Sequence, residues 1–411
     1  MKELLFDNGH ANPGSDVPRL KIAITTPTNW PRVRRGAERF LNDFARYLAG
    51  RGHRVTILSA HPGESEVIHD QGYSTVLKRQ IWQPWMEKAG FFEFHLFFFT
   101  VLAHLPRQHF DVVFSTTFMD AYAASLVRRF TGTPCIFWVN GLPPVVRYHH
   151  FRSAKGKVFR RAILRADEVI SLSGYMQRRL TEQFGRGGIR IFPGVDLESF
   201  PLSRARDHSR PIILCTAALA DYRKGGRLLM RAFNRVKMAR PEVVLQLSSG
   251  ISPELRSELL ESVAPQFRGD VQFLGLGELR QMPELYGRAA ISVLPSLWEP
   301  FGLALAESLA VGTPVVGTRD GAIPEILAEP GIGRLFDPGP TNFAEPSNDS
   351  GLADAMIEAL SLSRDPATAE RCRRSADRFS WSRVGPQFEN VLTYVAAGKR
   401  PAHQEPACVS F

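Results

Sequence analysis

Residues 291–318 read ISVLPSLWEPFGLALAESLAVGTPVVGT, and no other stretch constrains the chain as tightly. The apolar run 291–294 predicts a buried strand, and 315–318 predicts a second. Between them the spacing predicts a short helix over 303–310, stopped by Gly312 and Pro314. Glu299 stands before that helix and Glu307 lies on it, with seven residues between them. Phe301, Gly302 and Leu303 bring bare backbone N–H groups to the helix start. The first N–H groups of a helix lack acceptors and the dipole is positive there, so the position suits an anion. Phosphate on the backbone, with carboxylates beside sugar or ribose hydroxyls, describes a nucleotide-sugar site.

The segment from Glu299 to Glu307, EPFGLALAE, is similar to the E-x7-E motif of the retaining GT-B glycosyltransferases of family 4, group 1. The frame around it, Pro295-Ser296, Gly312-Thr313-Pro314-Val315-Val316 and Ile323-Pro324-Glu325, resembles the same family. The likeness runs from the first strand to Phe379-Ser380-Trp381, which resembles the family's closing helix.

The rest of the chain agrees with a fold of that kind. At 411 residues it is too long for one ordinary core. Strands are predicted at 19–26, 54–60, 112–115, 134–139 and 168–172, with an amphipathic helix over 36–50. A polar stretch at 197–211 reads as a linker. A second series follows, with strands at 212–217, 243–248 and 271–274 and helices at 226–237 and 279–289. Strands alternating with helices imply parallel sheets. The expected class is α/β, GT-B, with two Rossmann-like parallel-sheet domains facing across a cleft. The expected divisions are a loose tail at 1–18, an acceptor domain at 19–200 and a donor domain at 201–378. A helix packing back on the first domain, plus a tail, would occupy 379–411. Residues 342–351 read as a surface loop.

The resemblance also assigns roles. Glu307 would accept hydrogen bonds from the nucleotide ribose, and Glu299 would meet the donor sugar. Phe301, Gly302 and Leu303 would bind phosphate or sugar through main-chain N–H groups. Arg223 and Lys224 would neutralise the leaving diphosphate. Gly275-Leu276 would hold the base through the backbone, and Arg35-Gly36 would form an acceptor or phosphate loop. Asn140 ends the strand CIFWVN where many members carry histidine; it can hydrogen-bond a sugar hydroxyl but cannot shuttle a proton. Two further departures are Arg35, in place of the first of two glycines, and Ala217-Ala218-Leu219, in place of a Gly-Arg element.

The net charge of +10 calls for an anionic partner. No helix-turn-helix, zinc-finger or RNA-binding signature accompanies it, so nucleic acid is not expected; an anionic membrane surface is the better candidate, beside a merely basic solvated surface. The aromatic run at 91–105 reads two ways, as a core helix or as a surface that touches lipid. No apolar run is long enough to span a bilayer. Cys135, Cys215, Cys372 and Cys408 are scattered without metal spacing, which fits a reducing cytoplasm, with the protein free or peripheral at the membrane's inner face. No Asp-x-Asp pair occurs, so no metal and no cofactor are expected beyond the nucleotide diphosphate sugar as co-substrate. The resulting expectation is a metal-independent hexosyltransferase acting on a glycan or lipid-linked acceptor. The alternative is a non-catalytic protein that binds nucleotide sugar.

Overall fold

Runs such as VVFS at Val112–Ser115 and CIFWV at Cys135–Val139 are buried along their whole length. Strands covered on both faces look like this, and helices on either side of a parallel sheet supply the cover. A computed structural model describes residues 18–33, 36–70, 72–80, 93–142, 153–203, 205–275, 281–341 and 346–399.

The first sheet is built from β1 (Lys21–Thr26), β2 (Arg54–His61), β3 (Glu66–Asp70), β4 (Tyr73–Arg79), β5 (Val112–Ser115), β6 (Cys135–Val139), β7 (Glu168–Ser171) and β8 (Ile189–Arg190). Their order is β3-β4-β2-β1-β5-β6-β7-β8, and every pairing is parallel except the β3–β4 hairpin. The second sheet uses β9 (Ile212–Cys215), β10 (Val244–Leu247), β11 (Val271–Phe273), β12 (Ile291–Leu294), β13 (Val315–Thr318) and β14 (Gly333–Phe336). Its order, β11-β10-β9-β12-β13-β14, is parallel throughout. Each sheet reverses its winding once, between β1 and β5 and between β9 and β12. In open α/β sheets the crevice beyond the strand ends at such a reversal is where ligands bind.

The helix Glu93–His104 settles the aromatic run. Phe97, Val101 and Leu105, four residues apart, are buried beside Leu58, Val113 and Val127. Phe99 is exposed, so the described part of the run is a core helix that turns this ring outward; residues 91 and 92 lie outside the described residues. Among the described residues no helix is long and apolar enough to cross a membrane. Cys135, Cys215 and Cys372 are buried free thiols, and burial pushes their pKa values up to about 12, 11 and 12; Cys408 lies outside the described residues.

The helix Trp381–Ala396 leaves the second sheet and packs on the helix Gly36–Gly50 of the first. Trp381 stacks on Phe40 at 5.4 Å and on Tyr47 at the same distance, and Phe388 lies 4.9 Å from Phe44. Gly385 lies against Tyr47 so closely that a Cβ would clash with the ring. The polar anchor of this seam is Glu389, buried on the final helix. It accepts from His53 Nε2 at 3.0 Å and from Arg51 Nε at 3.2 Å. His53 Nδ1 is itself an acceptor for the Leu20 N–H at 3.1 Å, so Nε2 carries the proton. Glu389→Ala leaves the His53 Nε2–H buried without an acceptor, and we expect it to cost about 1.5–3 kcal/mol. Urea unfolding checks this, and an unchanged midpoint would show that the seam is purely apolar.

Several parts of the fold differ from what the sequence suggests; the helices Phe118–Thr131, Ala154–Arg165 and Gly174–Phe184, for example, have no predicted counterpart. The β3–β4 hairpin lies in a stretch for which no element is predicted. The region read as a loop at 342–351 already contains a helix start. Asn348 caps the helix Asp349–Leu362 by accepting from the Gly351 N–H at 2.9 Å. Residues 342–345 lie outside the described residues.

Candidate active site at the facing strand ends

At the reversal of the second sheet, the chain leaves β9 and enters a tight turn. Asp221 accepts from the Arg223 N–H at 3.1 Å and from its guanidinium at 2.6 and 3.0 Å. Arg223 also donates to the Leu297 carbonyl at 3.2 Å, and the Leu297 N–H returns a bond to the Arg223 carbonyl at 2.8 Å. Gly225 follows with φ of 68° and sits against the Pro295 carbonyl with no room for a Cβ. Arg223 is therefore occupied in lacing this turn to the loop after β12. Lys224 points onward, and its Nζ lies 2.6 Å from Glu299 Oε2 with both side chains largely buried.

The loop carrying Glu299 is held on several sides. Trp298 has φ of 52°, a left-handed conformation that costs a non-glycine residue about 1–3 kcal/mol. Its N–H is fixed by the Asp320 carboxylate, whose pKa burial raises above the ordinary value. The Glu299 carbonyl accepts from the Ala322 N–H at 2.9 Å. Ser173, from the other side of the cleft, donates to the Pro300 carbonyl at 2.7 Å. A Cβ on Gly141 would lie 3.9 Å from Pro300 Cγ, so Asn140-Gly141, at the end of β6, stands opposite the glutamate loop.

The helix Leu303–Ala310 begins at Gly302, whose φ of 103° is open to glycine alone at low cost. Phe301 turns inward against Phe379 (5.2 Å between centroids) and Phe192 (5.7 Å), so only its main chain faces the cleft. A Cβ on Gly36, first residue of the Gly36–Gly50 helix, would lie 3.4 Å from Leu303 Cδ2. Two helix N-termini, one from each sheet, thus meet at one point, and their positive ends add. Arg35 and Leu276 lie outside the described residues; Gly275, just before Leu276, has φ of 72°.

Several contacts have no local sequence signal. Glu307 is 3 % exposed and forms an ion pair with Arg39, which comes from the helix Gly36–Gly50 across the cleft and is itself 13 % exposed. Burial lowers the Arg39 pKa from its ordinary value, and burial pushes Asp43, one turn along, up to about 6. Glu325, in the Ile323-Pro324-Glu325 segment, accepts from the Gly174 and Tyr175 N–H groups at 2.8 and 2.7 Å. It fills the N-terminus of the first-sheet helix Gly174–Phe184 and clasps the two halves. Arg373 donates to the Ala310 carbonyl at 2.8 Å, tying off the end of the Leu303–Ala310 helix. All these pairs join residues far apart in the chain. Among the described residues no group of three or more His, Cys, Asp or Glu side chains is placed to hold a metal ion.

Comparison with known proteins shows the family and the fold. Residues 34–199 match the family described as Glycosyltransferase Family 4, and residues 210–361 match Glycosyl transferases group 1. The chain is 26 % identical to a glycogen synthase of Mycobacterium tuberculosis over 308 residues, covering 71 % of this chain and 70 % of that one. It is 28 % identical over 306 residues to a phosphatidyl-myo-inositol mannosyltransferase of Propionibacterium freudenreichii, covering 72 % and 73 %. Its fold is similar to that of sucrose-phosphate synthase from Thermosynechococcus elongatus, with a TM-score of 0.77 at 19 % identity over 93 % of this chain and all of that one. The two parallel sheets facing across a cleft are the GT-B arrangement, and the chain belongs to the family 4, group 1 glycosyltransferases, enzymes that transfer a sugar from a nucleotide sugar.

Proposed function

We propose that this glycosyltransferase moves a hexose-type sugar, with retention of configuration and without a metal ion, from a nucleotide diphosphate sugar to a hydroxyl of a glycan or lipid-linked acceptor. The observation that carries the reading is the meeting of two helix N-termini, at Gly36 and Leu303, beside the Lys224–Glu299 pair at the reversal of the second sheet. The names of the relatives span both acceptor kinds, one referring to glycogen and one to phosphatidyl-myo-inositol.

On this reading the donor lies on residues 201–378 and the acceptor on residues 19–200. The diphosphate sits on the N–H groups of Gly302 and Leu303, with Leu276 beside the base and Glu307 on the ribose hydroxyls. Arg35 and Gly36 face the phosphates from the other half. Glu299 and Asn140 hold the sugar from opposite sides of the cleft. In the reaction the acceptor oxygen bonds to the anomeric carbon as the bond from that carbon to the phosphate oxygen breaks. The acceptor's proton passes to the departing phosphate on the same face. Charge then develops on the nucleoside diphosphate, and a fixed ammonium at Lys224 with two helix N-termini stabilises it without reorganising. Arg223 contributes by holding Lys224 against Glu299. Closing the halves on the donor excludes water from the reacting centre.

The test is a thermal-shift panel with UDP, GDP, ADP and dTDP, in EDTA. A ligand that binds only the folded protein raises the melting temperature by mass action. One nucleotide is expected to do so at full strength in EDTA, and donor turnover is expected to survive the chelator. A strict need for a divalent ion would overturn the metal-free mechanism. Binding without any turnover of donor would favour a non-catalytic nucleotide-sugar protein.

A further inference from the structure

The helices Glu93–His104, Phe118–Thr131 and Ala154–Arg165 lie side by side on one face of the first sheet. Phe97, Ala124 and Phe159, one from each helix, are buried with Val113, Cys135 and Phe137 of that face. Trp138, next to Phe137 on β6, points to the opposite face, where the final helix packs. Phe98 of the first helix stacks on Tyr122 of the second at 6.0 Å, and Phe118 of the second meets Phe159 of the third at 5.8 Å. The far sides of the three helices form the outer surface of this half.

A surface helix of a globular protein ordinarily turns charged and polar residues outward. These three carry almost no negative charge: seven lysines and arginines stand against two acids, Glu93 and Asp120. Asp120 is buried, accepting from Thr25 Oγ1 at 2.7 Å and from the Thr116 N–H at 3.0 Å. Lys157, Arg160, Arg161, Leu164 and Arg165 recur at the spacing of one helix face, and all are exposed. Arg165 covers the Tyr122 ring at 5.5 Å, and Arg128 is paired with Asp167 at 2.7 Å. Arg129, Lys157, Arg160 and Arg161 have no carboxylate partner among the described residues. Each helix also turns out one large apolar side chain: Phe99 is 65 % exposed, Phe130 88 % and Leu164 42 %. Half-buried Phe98, Leu102, Tyr122 and Leu126 add apolar area on the first two helices.

We propose that this outer face is a docking surface for an anionic membrane. Phe99, Phe130 and Leu164 enter the headgroup region, and Arg129, Lys157, Arg160 and Arg161 meet lipid phosphates. The cations call for anions, and apolar side chains set one to a helix call for an apolar phase broad enough to reach all three helices at once. A nucleic acid would answer the cations and leave the rings in water. A bilayer surface offers both, with phosphates above and acyl chains beneath. The helix Ala154–Arg165 lies between the parallel strands β6 and β7, so its start, with Lys157, sits at the strand ends where the candidate active site lies. Docking there brings the cleft to the level of the headgroups. On the transferase reading given above, this favours the lipid-linked kind of acceptor.

Vesicle sedimentation with the full chain tests it, using phosphatidylcholine alone and phosphatidylcholine with about 30 mol % phosphatidylglycerol. The protein is expected to bind the anionic vesicles and not the neutral ones, and to bind less as salt screens the attraction. Lys157→Gln, Arg160→Gln and Arg161→Gln together are expected to weaken binding about a hundredfold, roughly fivefold for each charge. Phe130→Ser is expected to weaken it about tenfold, and Phe130→Trp to keep it, because an indole suits the interface. These side chains are exposed, so every variant should keep the parent's melting temperature and its rise with nucleotide. No binding to anionic vesicles, or equal binding to neutral ones, overturns the proposal. Binding that neither set of substitutions weakens overturns it too, because the contact then lies elsewhere. A loss with the cations but none with Phe130→Ser marks a general polyanion surface and overturns the membrane assignment. A parent dimer that Phe130→Ser turns into a monomer, with no vesicle binding by either, makes the face a contact between copies. Nucleotide stabilisation without vesicle binding leaves the transferase reading standing. Vesicle binding at this face by a protein that no nucleotide stabilises upholds the docking surface and overturns the donor assignment.

Discussion

Lys224→Ala is expected to lower kcat by about a hundred- to a thousandfold, the usual effect of removing one preorganised group that stabilises developing charge. The ammonium is held 2.6 Å from Glu299 by a turn that Arg223 and Gly225 lace to the opposite loop. Steady-state kinetics separate two roles. A fall in kcat larger than the rise in donor KM marks stabilisation of the transition state, whereas a rise in KM alone would mean that Lys224 only holds ground-state phosphate. Lys224→Arg is expected to recover part of the rate, since the charge returns but as a planar fork in a site shaped for a point charge. Glu299→Gln should be strongly non-additive with Lys224→Ala, because the two side chains act as a pair. Additive losses would mean that the pair has no joint function.

Glu307→Ala is expected to abolish transfer and also to destabilise the protein by about 3–5 kcal/mol. The second effect follows from Arg39. Its guanidinium is buried at the cleft and paired with Glu307, so deleting the carboxylate strands a charge away from water. Replacing both partners with apolar residues, as in Arg39→Met with Glu307→Leu, should restore most of the stability, because a well-packed apolar pair can equal a buried ion pair. It should restore none of the transfer. Urea unfolding and a donor-turnover assay on these two variants and the parent read the two effects apart. A fully active Glu307→Ala would remove this residue from the ribose site. A double variant no more stable than the single one would show that Arg39 and Glu307 are not coupled.

The motif stretch was legible because its signals are local. Leu303–Ala310 starts and stops where Gly302, Gly312 and Pro314 place it, and the flanking strands are unbroken apolar runs. The β3–β4 hairpin was not, because every residue of β3 is exposed and carries no inside–outside alternation. The helix at Asp349 was hidden by the same polar residues that cap it. Of the candidate site, Glu299, Lys224, Gly302 and Leu303 come together; across the cleft Gly36 stands against Leu303, and Gly141, next to Asn140, stands against Pro300. What the sequence could not disclose were the contacts between halves: Arg39 with Glu307, Glu325 with the Gly174 helix, and Ser173 with Pro300. Such pairs depend on how two separately wound sheets face each other, and no periodicity encodes that.

The seam between the final helix and the first sheet bears on how the molecule is made. Phe40, Phe44 and Trp138 form one side of an aromatic stack whose other side is Trp381 and Phe388. The two passages of chain between the halves run side by side there, with the Val195 N–H bonded to the Phe379 carbonyl at 2.8 Å. At roughly 5–20 residues per second, a ribosome needs ten seconds or more to go from the first sheet to the helix that covers it. The earliest part of the chain to be synthesised is therefore among the last to be finished. During that interval an apolar face stands open, and it is there that a chaperone would bind the nascent protein.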